Sequence, residues 1–173
     1  MHWGLNGQPD RYGSRWEALL FVPILLAVMA VVFSVIELIS GSRLRVNAVR
    51  GINIVAVAVT AMMLAIHSLI LSQNHTAIPG LIPFFLSGLM VVLGFAVKGV
   101  EPNPFIGIRV PWTMNSPMVW RITHERASRL WINCGTLGLV MCLIHVPTWL
   151  PIAMFCGSIL YPVYDSYRVS KTA

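Results

Sequence analysis

Apolar residues in this chain come in long unbroken runs, not in the alternating or one-faced patterns of a soluble fold. Positions 18–36 contain no charged side chain, enough to cross about 30 Å of hydrocarbon at ~1.5 Å of rise per residue. Residues 51–72, in which His67 is the one ionisable group, and residues 76–97 extend the pattern. Residues 130–146 and 148–164 are shorter and meet at a tight His145-Val146-Pro147-Thr148 corner. The pattern predicts an all-α, polytopic transmembrane bundle. Its spans are placed at 17–39, 51–72, 76–98, 130–146 and 148–165, the last two as a hairpin, and residues 1–16 form an external loop. The whole of 1–173 is read as a single integral membrane domain.

The run breaks at residues 99–129. Pro102, Pro104 and Pro111 remove backbone donors and forbid regular helix, so 99–115 is expected to be irregular, with Gly107 allowing a bend. Ser116 then reads as an N-cap with Pro117 in the first helical position. Trp120, His124, Ala127 and Trp131 recur at helical spacing, with Arg121, Glu125 and Arg129 on another face. This predicts an amphipathic helix at the membrane interface, either separate from the fourth span or continuous with it. Two readings of the segment stand. In one, Trp112, Trp120 and Trp131 are interfacial anchors; in the other, the segment is a recognition or gating element. Arg109 lies in an apolar stretch and calls for a carboxylate, a phosphate or carbonyls. Its candidate partners are Glu37 and Asp165, at helix ends, and Glu101.

Composition supports a lipid environment. The chain is 57% hydrophobic with 10% charged residues among 173, and its mean hydropathy is +0.75. A soluble domain carries about 25% charged residues. The net charge of +6 is concentrated in short loops, where anionic lipid and the positive-inside rule account for it better than nucleic acid does. With the N-terminus outside, the inner segments hold Arg43, Arg45, Arg50, Lys98, Arg109, Arg121, Arg126, Arg129, Arg168 and Lys171. Only Arg11 and Arg15 then lie outside. The predicted orientation is N-terminus out and C-terminus cytoplasmic, with the 99–129 loop inside.

Chemistry-bearing motifs are sparse. Cys134, Cys142 and Cys156 sit in apolar runs without zinc-site spacing, and no metal or cofactor is expected. His124-Glu125 fails as a metalloprotease motif because position 128 is Ser. Met141, Cys142 and His145 read as packing before they read as a soft-metal site. His67 is an intramembrane histidine, a functional candidate by default, with a hydrogen bond to a neighbouring helix as the alternative. Asn74-His75-Thr76 matches a glycosylation sequon, meaningful only in a eukaryotic secretory pathway. No nucleophile–base pair can be placed, and no catalytic residue is assigned. The N-terminal HWGLNGQPDRYG is turn-rich, with Trp3 and Tyr12 expected to pack against the outer face.

Two segments carry a resemblance. Asn103-Pro104-Phe105-Ile106-Gly107-Ile108-Arg109-Val110-Pro111-Trp112-Thr113, followed by Trp120-Arg121 and Thr123-His124, resembles the signature loop of the SdpI family of bacterial membrane proteins. Residues 2–15, with His2, Trp3, Gly7, Pro9 and Asp10 as the matching positions, resemble the domain that often precedes it. The resemblance implies a multi-pass protein of the bacterial plasma membrane that gives immunity to a secreted sporulation-delaying peptide. It also implies a peptide toxin met on the outer face and a repressor held at the cytoplasmic face. In the family the HWxxxGxPD loop normally follows a membrane helix. Here the chain starts at Met1, so either this member has five spans or its start lies further upstream. The face such a helix would cover is then left to lipid or to a second copy in a homodimer.

The leading expectation is therefore a non-enzymatic, peptide-resistance membrane protein. A small transporter or channel subunit, with the Pro-broken loop as a re-entrant gate and His67 on a polar path, is the alternative; a membrane enzyme is the weakest reading.

Overall fold

The computed structural model describes residues 2–3, 9–11, 13–40, 46–72 and 78–172. Gly7, Tyr12 and the 41–45 and 73–77 loops, the second of which includes the sequon, lie outside the described residues. Among the described residues the fold is helical apart from a short antiparallel ribbon. In that ribbon β1 (His2–Trp3) pairs with β2 (Pro9–Arg11), with an irregular register between the partners His2–Arg11 and Trp3–Pro9. The turn-rich reading of this segment thus becomes, in part, a hairpin that brings His2, Trp3, Pro9 and Asp10 together along the backbone.

Among the described residues six helices follow: α1 (Arg15–Ser40), α2 (Val46–Leu71), α3 (Ile78–Val97), α4 (Pro111–Met114), α5 (Pro117–Leu143) and α6 (Trp149–Thr172). The segments Arg15–Ile39 and Val46–Leu71 are long and apolar enough to cross a membrane, and Leu81–Val97 is a shorter apolar helix. Pro23, Pro83 and Pro162 lie inside α1, α3 and α6, as is tolerated where neighbouring groups take up the freed backbone.

Packing divides the chain into two units. The first comprises Met1–Gly41 and Val59–Ile82. Its long helix α1 presents apolar side chains outward almost throughout, among them Phe21, Val31 and Leu38. Such a surface suits a lipid solvent. The second comprises Ser42–Ala58 and Pro83–Ala173 and holds the core: Ala48, Met90, Val97, Val100, Trp120, Ala127 and Trp131, with Leu93, Ile106, Ile108 and Phe155 packed against it.

Within the second unit the helices approach at small residues. A Cβ built on Gly94 would lie 2.9 Å from the Ser128 carbonyl oxygen, and one on Gly135 would lie 2.7 Å from that of Ser87. Close crossing of α3 and α5 therefore rests on missing side chains, as expected where lipid gives helices no hydrophobic drive to associate. Gly51 meets the Ala96 carbonyl in the same way, at 2.5 Å.

The amphipathic helix and the fourth apolar run form one helix, the continuous arrangement of the two expected. There is no break at residue 130: α5 is one helix of 27 residues, because its inward stripe continues in phase from Trp120 through Trp131 to Gly138. It also ends at Leu143. There His145, at φ 58, occupies the left-handed position of a Schellman cap. Its N–H donates to the Cys142 carbonyl at 3.3 Å, and that of Val146 donates to Met141 at 3.1 Å. The tight corner expected at 145–148 is thus a capped helix end. Replacing His145 with Gly should relieve a left-handed strain of about 1 kcal/mol and raise the melting temperature in detergent. His145→Val should lower it.

Candidate functional site

The proline-broken segment between α3 and α5 is ordered by side chains, since its backbone cannot pair with itself. After Val97 the chain turns at Gly99, whose φ of +67 is a glycine conformation. The Gly99 carbonyl accepts from Asn47 Nδ2 at 3.2 Å. The next turn is built by Asn103, which is 8% exposed. Its Oδ1 accepts the N–H groups of Phe105 and Ile106 at 2.9 and 2.8 Å. Its Nδ2 donates to the carbonyls of Glu101 and Ile106 at 2.8 and 3.1 Å. One amide side chain thus serves both sides of the loop, an Asx turn closed on itself.

Gly107 is where the loop meets α5. Its φ is +127, and a Cβ there would fall 2.5 Å from His124 Nε2 and 2.9 Å from the Trp120 ring. Only glycine fits. That approach lets the Ile108 N–H donate to His124 Nε2 at 2.8 Å, while His124 Nδ1 pairs with the Trp120 carbonyl at 2.8 Å. Since Nε2 accepts, Nδ1 carries the proton, and the ring is the neutral Nδ1–H tautomer. The imidazole also stacks on Trp120, ring centroids 4.0 Å apart and planes 24° off parallel. Both side chains are 1% exposed.

The tryptophans act as pins. Trp120 Nε1 donates to the Val100 carbonyl at 2.8 Å, tying α5 to the end of α3. Trp112, on α4, donates to Ser166 Oγ on α6 at 2.8 Å and meets Tyr167 edge-on at 5.4 Å. Trp131 donates to the Ser158 carbonyl, also on α6, at 2.8 Å. The interfacial-anchor reading is corrected here: Trp120 and Trp131 are buried, and the apolar face of the amphipathic helix packs on protein, not on lipid. Thr113, fully buried, accepts the Val110 N–H at 3.1 Å and donates to the Ile108 carbonyl at 2.7 Å. Ser116 caps α5 as expected, accepting from Val119 N–H at 3.3 Å, a contribution of about 1 kcal/mol. Pro111 starts α4 and Pro104 is exposed within the Asn103 turn.

Arg109 stands apart. It is exposed, and among the described residues it makes no ion pair. Asp165, one of its candidate partners, is taken by Arg126, whose guanidinium reaches both carboxylate oxygens at 3.2 Å. The reason is placement: Arg126 projects from α5 where that helix packs along α6. Glu37 lies on α1, in the other unit. Sequence reasoning missed Ser158, Ser166, Asn47 and the hub role of Asn103. Ser158 and Ser166 could have been found: with Pro162 they mark one buried stripe of α6 at helical spacing.

Residues 99–164 match the SdpI/YfhL protein family, and residues 1–27 match a domain of unknown function, DUF1648. The Immunity protein SdpI of Bacillus subtilis (strain 168) is 21% identical over 142 residues, 82% of this chain and 67% of that protein. No solved structure matches.

Burial pushes the His124 imidazole below its ordinary value of 6.5, and the hydrogen bond to the Trp120 carbonyl pulls it partly back. A histidine more acidic when folded gives stability that is full above pH 6.5 and declines as pH falls toward its folded value. The melting temperature should therefore drop between pH 7.5 and 5.5. His124→Gln, which cannot titrate, should show a shallower drop. The charged neighbours around this ring, Lys98, Glu101, Arg121 and Glu125, are common to both proteins. The segment from 99 to 164, with the turn, stacked pair and tryptophan pins just described, is the part of the chain that matches the SdpI/YfhL protein family.

Proposed function

We propose that this chain is an SdpI-like immunity protein, protecting a bacterial plasma membrane against a membrane-active peptide without catalysing a reaction. The observation that carries the reading is the likeness to an immunity protein over 82% of the chain, together with the matched family region. In this reading the chain is one membrane domain of five spans, N-terminus outside and C-terminus cytoplasmic, the orientation favoured by its arginines and lysines. The ribbon side, residues 1–16, and the 73–78 loop meet the peptide. The pinned 99–115 loop presents Arg109 to the cytoplasm, where a repressor would dock.

Rigid packing of the loop supports such a role. A side chain displayed from a backbone fixed by Asn103, Gly107 and His124 is preorganised for a partner and loses little entropy on binding. A second reading, passage of a solute or ion, is favoured by His67, whose Nδ1 is buried without a hydrogen-bond partner among the described residues.

The test is membrane depolarisation of sensitive cells by a sporulation-delaying-type peptide, with and without this protein. The immunity reading expects a several-fold higher peptide dose for half-depolarisation. Because Arg109 is exposed and unpaired among the described residues, Arg109→Ala should leave the amount of inserted protein unchanged while lowering protection. Inserted protein that gives no protection would contradict the reading and favour flux measurements in liposomes.

A further inference from the structure

A cleft of about 790 Å³ opens where the end of α3 meets the first turns of α5. Its charged lining is Lys98, Glu101, Arg121 and Glu125, on a wall that includes Val100, Pro102 and Pro117. Depth is set by the helices: the apolar run Leu81–Val97 stops immediately before Lys98. The cleft therefore lies at the level where hydrocarbon gives way to headgroups.

The hydrogen-bonding inventory narrows what it can hold. Trp120 and His124 form part of the lining, but the Trp120 indole N–H is spent on Val100 and both His124 nitrogens are occupied. Glu125 is bonded by Arg129, and Glu101 is engaged within the protein. Lys98 and Arg121 are exposed, and among the described residues neither has an ion-pair partner. Among the described residues the cleft thus offers two cations without an ion-pair partner beside an apolar wall. That combination suits a ligand with an anionic phosphate and an apolar body.

We propose that this cleft binds an anionic phospholipid, its phosphate taken by Lys98 and Arg121 and its glycerol and upper acyl carbons lying on the apolar wall. The inference goes beyond the immunity reading and does not depend on it. Clusters of basic side chains at headgroup depth favour anionic over neutral lipid, and here they are joined to a shaped recess.

Native mass spectrometry of the purified full chain tests this, with phosphatidylglycerol and phosphatidylcholine of the same acyl chains added in turn. The expected result is one phosphatidylglycerol retained about tenfold more strongly than phosphatidylcholine. Lys98→Gln with Arg121→Gln should bring the two lipids to parity, while Arg168→Gln, an exposed cation outside the cleft's lining, should change nothing. Inorganic phosphate at millimolar concentration should not displace the lipid. Equal retention of both lipids by the parent protein would overturn the proposal, and that arm needs no variant to fold. So would an equal effect of Arg168→Gln, which means diffuse charge, or displacement by phosphate, which means a site for a free anion.

Discussion

A backbone that three prolines prevent from pairing with itself must find its hydrogen bonds elsewhere, and here one imidazole makes the decisive connection. His124 takes the Ile108 N–H on one nitrogen and holds the Trp120 carbonyl with the other, so the irregular loop and the long helix α5 become one piece. Everything near it depends on that link. Gly107 must be bare to let the loop approach, and Trp120 must stack beneath the ring. The Asn103 turn must deliver the chain at the right height. A neutral ring is required throughout, because a second N–H at Nε2 would face the Ile108 donor head-on.

The same economy extends outward. Indole N–H groups are costly to bury unpaired, and in this protein each of three finds an acceptor on another element: Val100 past the end of α3, and Ser166 and Ser158 on α6. Tryptophans that a membrane surface would also have welcomed instead cross-brace the second unit. Glycines at the α3–α5 crossing bring the helices close enough for those bonds to form. The result is a stiff platform from which Arg109 projects without a partner among the described residues.

Much of this was legible from the residues alone. Uninterrupted apolar runs announced α1, α2 and α3, because lipid exposure demands them. Ser116-Pro117 marked the start of α5, since cap and first-turn chemistry are local. The stripe Trp120, His124, Ala127, Trp131 was correctly seen as one face, and the corner before Thr148 was seen as a turn. What escaped was long-range. No local signal says that Asp165 belongs to Arg126 and not to Arg109, or that Ser166 waits for Trp112, because those pairs lie 39 and 54 positions apart. The burial of the tryptophan face was also hidden, because a helix face prefers lipid headgroups or a protein groove by the same amphipathic pattern. Asn103 stood out only as part of the signature loop, and its role in organising the turn was not read.

Amide hydrogen exchange at Ile108 bears most directly on the central claim. If the His124 ring holds the loop, that amide should exchange as slowly as the amides of the first turns of α5, far more slowly than the neighbouring amide of the exposed Arg109. Exchange of Ile108 at the rate of an open loop would show that the platform is not held by this bond, and the account built on it would fail.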